Sequence, residues 1–224
     1  MPRIYLPTFE KIFPPRQAQH VRVLRLNRGE ALTLFDGKGQ LAQARLSKID
    51  KKTVEVEITA LQTAPRPETF PIHLAMSVIR EMDWVMQKAT ELGVQEITPL
   101  ISARTQGHPS DKKQAHWHEV MISAAEQSGC NFLPTLHPTL NFETFARQNP
   151  GALILDPTAT RSLKDLPPDR KSATLLIGPE GGLTPQEILL AKEAGCIRVS
   201  LHEQILRAET AAIVATGIVQ FYFS

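Results

Sequence analysis

Two stretches of this sequence place chemically useful residues at the ends of buried strands. The first is Leu175-Leu176-Ile177-Gly178-Pro179-Glu180-Gly181-Gly182-Leu183. An apolar strand runs into a loop with three glycines, which let a ligand approach the backbone closely and leave N–H groups available to it. The GK[ST] ending of a phosphate loop is missing, and the glycine spacing is not the dinucleotide fingerprint. A plain strand-to-helix turn would use the same residues. The second stretch is Ser200-Leu201-His202-Glu203-Gln204-Ile205-Leu206-Arg207-Ala208-Glu209-Thr210. Arg207 is a cation at a helix N-terminus, the wrong end for the macrodipole, and this points to a functional duty. Glu209 suits the first turn structurally, as dipole compensation.

Metal chemistry is not expected. The seven histidines show no ligand spacing and there is no HExxH. His116 and His118 stand two apart on a helix and point away from each other. Cys130 and Cys196 are the only cysteines, which excludes a disulfide framework and fits a reducing cytoplasm.

The elements that must hold these loops read as follows. Ile72–Val78, Glu96–Ile101, Ala152–Leu155, Thr174–Ile177 and Ile197–Leu201 are short apolar strands, as a buried parallel sheet requires. Glu81–Leu92 and Asp111–Ser128 are helices, each followed by glycine. Pro185–Ala194 is a helix opened by Thr184-Pro185-Gln186-Glu187, a capping box with proline at the first helical position. Arg207–Phe221 is a helix apolar nearly all round, so it must be buried on most sides, in a core or a subunit interface. Ligands of open α/β sheets bind at the carboxyl ends of the strands. A small-ligand site is therefore expected at the loops Leu155–Thr158, Ile177–Gly182 and Leu201–Thr210.

Before this part lies a different rhythm. Glu30–Phe35, Leu41–Ile49 and Thr53–Leu61 read as strands, with turn chemistry at Asp36-Gly37-Lys38-Gly39. Val54-Glu55-Val56-Glu57-Ile58 alternates strictly. A short helix is expected near Gln17–Leu26, and the whole resembles a small β-barrel. The proline-rich segment Thr63–Pro71 separates the two parts.

The 224 residues allow one or two domains, and 21% charged residues argue against disorder. No run is long enough for a membrane helix, and the first residues carry no secretory signal. The net charge of +2 divides unevenly. Residues 1–70 hold 12 Lys/Arg against 7 Asp/Glu, and the remainder holds 13 against 16. A basic module joined to a slightly acidic one suits a polyanion such as nucleic acid, although a solubilising surface would look alike.

Taken together, LLIGPEGGLTPQEI and ILRAETAA resemble the RsmE family of 16S ribosomal RNA uridine-N3 methyltransferases, within the SPOUT superfamily. Further matches run through the chain: Gln87–Val94, Ile97–Leu100, Ser102–Arg104, Ala125–Gly129 with Pro134, Val23–Leu26 and Phe35–Gly37. The resemblance implies a PUA-like β-barrel over residues 1–68 and an α/β SPOUT domain with a trefoil knot over residues 72–224. It implies S-adenosyl-L-methionine as cofactor, the small ribosomal subunit as partner, a homodimer and a cytoplasmic setting.

The cofactor residues it implies are Leu155, Pro157, Ile177, Gly178, Pro179, Glu180, Gly181, Gly182, Leu201, Ile205, Leu206 and Ala211. Arg207, Glu209 and Thr210 are the expected catalytic set. Arg3, Arg22, Arg25, Arg28, Arg80 and Arg104 are the expected RNA contacts. The sequence departs from the family pattern at His202 (usually Gly), Gln204 (usually Arg) and Cys130 (often Arg), and the Ile79–Met82 loop is short. A SPOUT enzyme acting on another RNA atom, or a ribosome assembly factor with a vestigial pocket, are the alternatives. Binding of S-adenosylmethionine separates the last of these from an enzyme.

Overall fold

A computed structural model describes residues 1–51, 53–167, 169–201 and 204–223. The chain divides into two units, Met1–Pro67 with Ile122–Leu133, and Glu68–Met121 with Pro134–Ser224. The first boundary falls inside the proline-rich segment. The grouping of Ile122–Leu133 with the first unit is written in no local pattern.

The first unit contains β1 (Arg3–Tyr5), α1 (Pro15–Val23), β2 (Ala31–Phe35), β3 (Gln40–Ile49) and β4 (Val54–Thr63). They form a four-stranded sheet in chain order, with β1 parallel to β2 and the other pairs antiparallel. The β4 alternation does what period two dictates. Val54 and Val56 are buried with Ile4, Leu32, Leu34 and Leu46, while Glu57 is exposed. At the β2–β3 turn, Asp36 Oδ1 accepts the amides of Lys38 and Gln40 at 2.7 and 2.9 Å. Residues 131–133 lie along this turn: the Gly39 amide donates to Asn131 O at 3.1 Å and the Leu133 amide to Gly37 O at 2.8 Å. Gly39 has φ +100°, and a Cβ there would sit 2.6 Å from the Phe132 ring. Only glycine meets both conditions.

Helix α1 stops at Val23, short of the expected Leu26, for a local reason. Arg25 takes φ 55°. The Leu26 amide then bonds Val21 O at 3.2 Å and the Arg25 amide bonds Arg22 O at 3.0 Å. This is a Schellman ending with arginine where glycine usually stands.

The second unit holds β5 (Ile72–Ser77), α2 (Met82–Glu91), β6 (Glu96–Ile101), β7 (Thr135–Leu136), β8 (Leu140–Asn141), α4 (Phe142–Gln148), β9 (Leu153–Leu155), β10 (Ala173–Ile177), α5 (Pro185–Glu193), β11 (Ile197–Val199) and α6 (Ala208–Phe223). Helix α3 (Asp111–Ser128) has the bounds its sequence predicts. The strand order is β11-β9-β10-β5-β6-β7, with β8 also on β6, and every pairing is parallel. Strands β5, β6 and β10 are buried over nearly their whole lengths, as helices on both faces require. Helix α6 packs on α2, β5 and β10, whereas α4 packs on α5 and β6. Helix α4 and the two-residue strands escape the sequence patterns because each is too short to show a period.

Helix α6 is less enclosed than its composition predicts. Ala208, Ala212, Ala215, Thr216 and Val219 face inward and are buried. Val214, Ile218, Phe221 and Tyr222 are exposed, Phe221 to 88%. Among the described residues no helix is long and apolar enough to cross a membrane.

Candidate active site

In the second unit a cavity of about 970 Å³ opens at the carboxyl ends of β9, β10 and β11. The order β11-β9-β10-β5 sets three strand-end loops side by side, although 22 or more residues separate them in the chain. Leu155, Pro157, Ile177, Gly178, Pro179, Glu180, Gly182, Leu201, Ile205, Leu206 and Ala211 all line the cavity. Arg207 and Glu209 line it too, as does Arg80 from the loop after β5. Arg207 directly precedes α6, where its carbonyl accepts the Ala211 amide at 2.8 Å. Gly181 and Thr210 are not among the lining residues.

Sequence reasoning missed other wall residues. Ile188, Leu189 and Lys192 come from α5 and Arg198 from β11, while Asp156 lies in the expected Leu155–Thr158 loop but was not singled out. Arg198 Nε donates to Asp156 Oδ2 at 2.8 Å, and Arg198 Nη2 to the Thr158 hydroxyl at 2.7 Å. Burial pushes the Asp156 carboxyl up, but hydrogen bonds from Thr158 and Arg198 outweigh it and hold the group below the usual aspartate range. Among the described residues the wall carries four basic groups (Arg80, Lys192, Arg198, Arg207) and four acidic ones (Glu81, Asp156, Glu180, Glu209). That balance, beside Leu155, Ile177, Leu183, Ile205 and Leu206, suits a small amphipathic ligand rather than a polyanion. The described wall has no serine, cysteine or histidine, so a Ser–His or Cys–His nucleophile pair is absent from it.

The glycine loop is held from two sides. The Gly182 amide closes a turn on Pro179 O at 2.8 Å, with Gly182 at φ +69°. The expected capping box forms: Thr184 Oγ1 accepts the Glu187 amide at 3.2 Å, and Glu187 Oε2 accepts the Thr184 amide at 2.8 Å. Glu187 Oε1 also accepts the Ala103 amide at 2.7 Å. Beside it, Arg104 Nη1 donates to the Gly181 carbonyl. A Cβ on Gly181 would meet Arg104 Cδ at 3.3 Å. Arg104 thus braces the ligand loop through its backbone.

The remaining expected cations belong to the first unit. Arg3 is committed internally: Nη2 donates to Asn131 Oδ1 at 2.6 Å and the guanidinium lies 4.8 Å over the Phe35 ring. Burial pushes its pKa down, although Cys130 and Glu126 pull it the other way. Arg22 donates to Asp50 O at 3.1 Å, whereas Arg25 and Arg28 are exposed. Of the departures noted in the sequence, Gln204 lines the cavity and Cys130 Sγ donates to Phe132 O at 3.0 Å. His202 lies outside the described residues.

Comparison with known proteins gives a concordant result. Residues 66–220 match the model of an RNA methyltransferase domain, and residues 13–59 that of an RNA methyltransferase PUA domain. The ribosomal RNA small subunit methyltransferase E of Buchnera aphidicola subsp. Schizaphis graminum is 30% identical, over 100% of this chain and 97% of its own length. A Legionella pneumophila structure in complex with the bound cofactor SAM superposes with a TM-score of 0.92 at 37% identity, covering 98% of this chain and 96% of that one. The ribosomal RNA small subunit methyltransferase E of Neisseria gonorrhoeae, bound to S-adenosyl methionine, gives 0.91 at 37% identity, over 99% and 97%.

Proposed function

The chain belongs to the ribosomal RNA small subunit methyltransferase E family of RNA methyltransferases, and on that premise we propose that it transfers a methyl group from S-adenosyl-L-methionine to N3 of a uridine in 16S ribosomal RNA. The observation that carries the reading is the single cavity wall joining the Gly178–Gly182 loop to the Leu201–Arg207 loop.

The residues present fit that cofactor. The volume of about 970 Å³ falls at the upper end of small-molecule sites, ~300–1,000 Å³. Leu155, Ile177, Ile205 and Leu206 offer an apolar bed for adenine, and Gly178, Pro179, Glu180 and Gly182 offer backbone polar groups beside it. Pro157, Leu201 and Ala211 complete the contacts, and Gly181 holds its place through Arg104. When bound, the sulfonium supplies an already activated methyl group.

The work left to the protein is orientation and charge. The uracil must be unstacked to expose N3. It must then be held in line, where positioning is a large part of the rate. As N3 gives up its proton, with water as the acceptor, negative charge develops on the ring, and Arg207 is the group we assign to stabilise it. Glu209 and Thr210 position groups around Arg207.

In this reading the first unit is a PUA-like barrel that grips RNA. Arg25 and Arg28 are its leading phosphate contacts, with Arg22 beside them, and Arg80 contributes at the cavity rim. The second unit carries the trefoil knot of its superfamily. Two chains pair through the exposed apolar stripe of α6, isologously as two-fold symmetry demands. The setting is the cytoplasm, where small subunits are assembled. Mass mapping of small-subunit RNA from cells lacking the gene should find one uridine short of one methyl group, restored by the wild-type chain. An unchanged map, or failure of the purified chain to bind S-adenosylmethionine, refutes the assignment.

A further inference from the structure

At the opposite, amino-terminal edge of the same sheet lies a second cavity of about 500 Å³. Sheet register builds its polar wall. His73 on β5 pairs with Glu96 on β6, and Glu96 pairs with Thr135 on β7. Paired residues share a face, and so do residues two apart on a strand. His73, Glu96 and Thr98 therefore point the same way. His137, two residues beyond Thr135, joins them, and its amide bonds Ile97 O at 2.9 Å.

Each of His73, Glu96 and His137 offers one ligand atom, and these atoms all lie within 4.8 Å of one another. The group is already oriented. His137 Nε2 and Glu96 Oε2 are 2.7 Å apart, and His73 Nε2 and Thr98 Oγ1 are 2.8 Å apart. The Phe145 ring packs edge-on against His73 with centroids 5.3 Å apart.

We propose that His73, Glu96 and His137 bind one divalent transition-metal ion, with Zn²⁺ the best match. Two imidazoles and one carboxylate are a nitrogen-rich donor set that suits zinc. Calcium and magnesium prefer six or more oxygen donors, and here there is one carboxylate. Ligand bonds of ~2.0 Å at the tetrahedral angle separate two donors by roughly 3.3 Å. The His137–Glu96 pair at 2.7 Å must open by about 0.6 Å, and the wider donor pairs, all within 4.8 Å, must draw in toward the same spacing. With Nε2 engaged by Thr98, His73 would offer Nδ1 to the ion, and a partner on the second ring nitrogen is what ligand histidines ordinarily have. Three protein donors leave a fourth position for water or a ligand. Bound there, the ion ties the starts of β5 and β6 to the chain just after β7, a strand of only two residues. The site shares no residue with the methyl-transfer cavity.

The test uses the full chain, stripped with a chelator and then freed of it. Titration with ZnCl₂ in a calorimeter should give one ion per chain, and Zn²⁺ should raise the melting temperature. Co²⁺ in its place should give the intense visible bands of a four-coordinate centre. His73→Ala and His137→Ala should each weaken Zn²⁺ binding tenfold or more. Glu96→Gln, nearly the same in shape and at a half-exposed position, should weaken it while leaving the metal-free melting temperature close to wild type. Binding of S-adenosylmethionine should be unchanged in all three variants. Absence of stoichiometric Zn²⁺ binding, or binding unaffected in a His73→Ala/His137→Ala double variant, overturns the proposal and leaves the methyltransferase assignment standing.

Discussion

Arg198 and Asp156 form a two-point clasp between neighbouring strands of the cavity wall: Nε donates to Oδ2 at 2.8 Å and Nη2 lies 2.7 Å from the same oxygen. The other carboxylate oxygen accepts the amide and the hydroxyl of Thr158, each at 2.8 Å. Asp156→Asn should lower unfolding stability at neutral pH by roughly 1–3 kcal/mol, the worth of a charged hydrogen bond with its partner left partly buried. The wild-type contribution has a defined pH window. The folded pKa is depressed, so the stabilisation is fully present above the unfolded value of ~3.9 and is lost as pH falls through the folded value. Denaturant titrations at neutral and acid pH should show the gap between wild type and Asp156→Asn closing below that point. A constant gap would show that this carboxylate does not set the acid slope.

Arg207→Ala should leave S-adenosylmethionine affinity nearly unchanged and slow methyl transfer by about 100- to 1,000-fold, or ~2.7–4 kcal/mol, the cost of losing one preorganised charge stabiliser. Single-turnover transfer to substrate RNA measures this directly. A wild-type rate would remove Arg207 from the chemistry.

Arg104→Ala separates loop support from RNA contact. Losing its hydrogen bond to Gly181 should weaken S-adenosylmethionine binding by about tenfold, ~1.5 kcal/mol. The salt dependence of RNA binding should stay as in wild type. A reduced salt slope with intact cofactor affinity would instead make Arg104 an RNA contact.

Arg25 sits in a left-handed backbone conformation at φ 55° while its side chain is exposed. Such a residue is strained by ~1–2 kcal/mol relative to glycine. Arg25→Gly should therefore stabilise the protein by about 1 kcal/mol and at the same time weaken RNA binding, with the salt slope falling by ~0.7–0.9 for the one lost phosphate contact. Arg3→Ala should do the reverse, costing stability with little change in slope, since its guanidinium is engaged by Asn131 and Phe35. Chemical denaturation and salt-dependent binding on the same variants decide both.

Ile218→Asp and Phe221→Asp place a charge on the outer stripe of α6. In a dimer that charge loses water without gaining a partner, so the assembly should dissociate or fall apart. Light scattering at low micromolar concentration should give twice the 24.9 kDa chain mass for wild type and less for the variants. A folded, active wild-type species at the single-chain mass would rule out the pairing.

The legible parts of this fold were the local ones. The glycine loop, the Thr184–Glu187 capping box and the bounds of α3 follow from residues within a few positions of one another. What stayed hidden depends on strand order. Arg198 meets Asp156 because β11 and β9 are neighbours. Glu96 and His137 are 41 positions apart, and only parallel register brings them together. Arg104 reads as a surface cation until its loop is set beside Gly181. Arg3 reads the same way, because charge counting is blind to the Phe35 ring beneath it. Helix α6 is apolar nearly all round, so its composition does not say which face turns inward: three alanines with Thr216 and Val219 are buried, while Val214, Ile218, Phe221 and Tyr222 are left outside.

Residues 131–133 give the first unit a consequence for the order of synthesis. The N-terminal sheet leaves the ribosome early, yet the strip that packs along its β2–β3 turn belongs to Ile122–Leu133. Glu68–Met121 must be translated in between, which takes roughly 3–11 s at ~5–20 residues per second. During that interval Gly39 has no Phe132 beside it and Arg3 no Asn131. The nascent chain therefore cannot complete its first module before it has begun its second, and a premature stop anywhere before residue 122 leaves the leading sheet exposed along that turn.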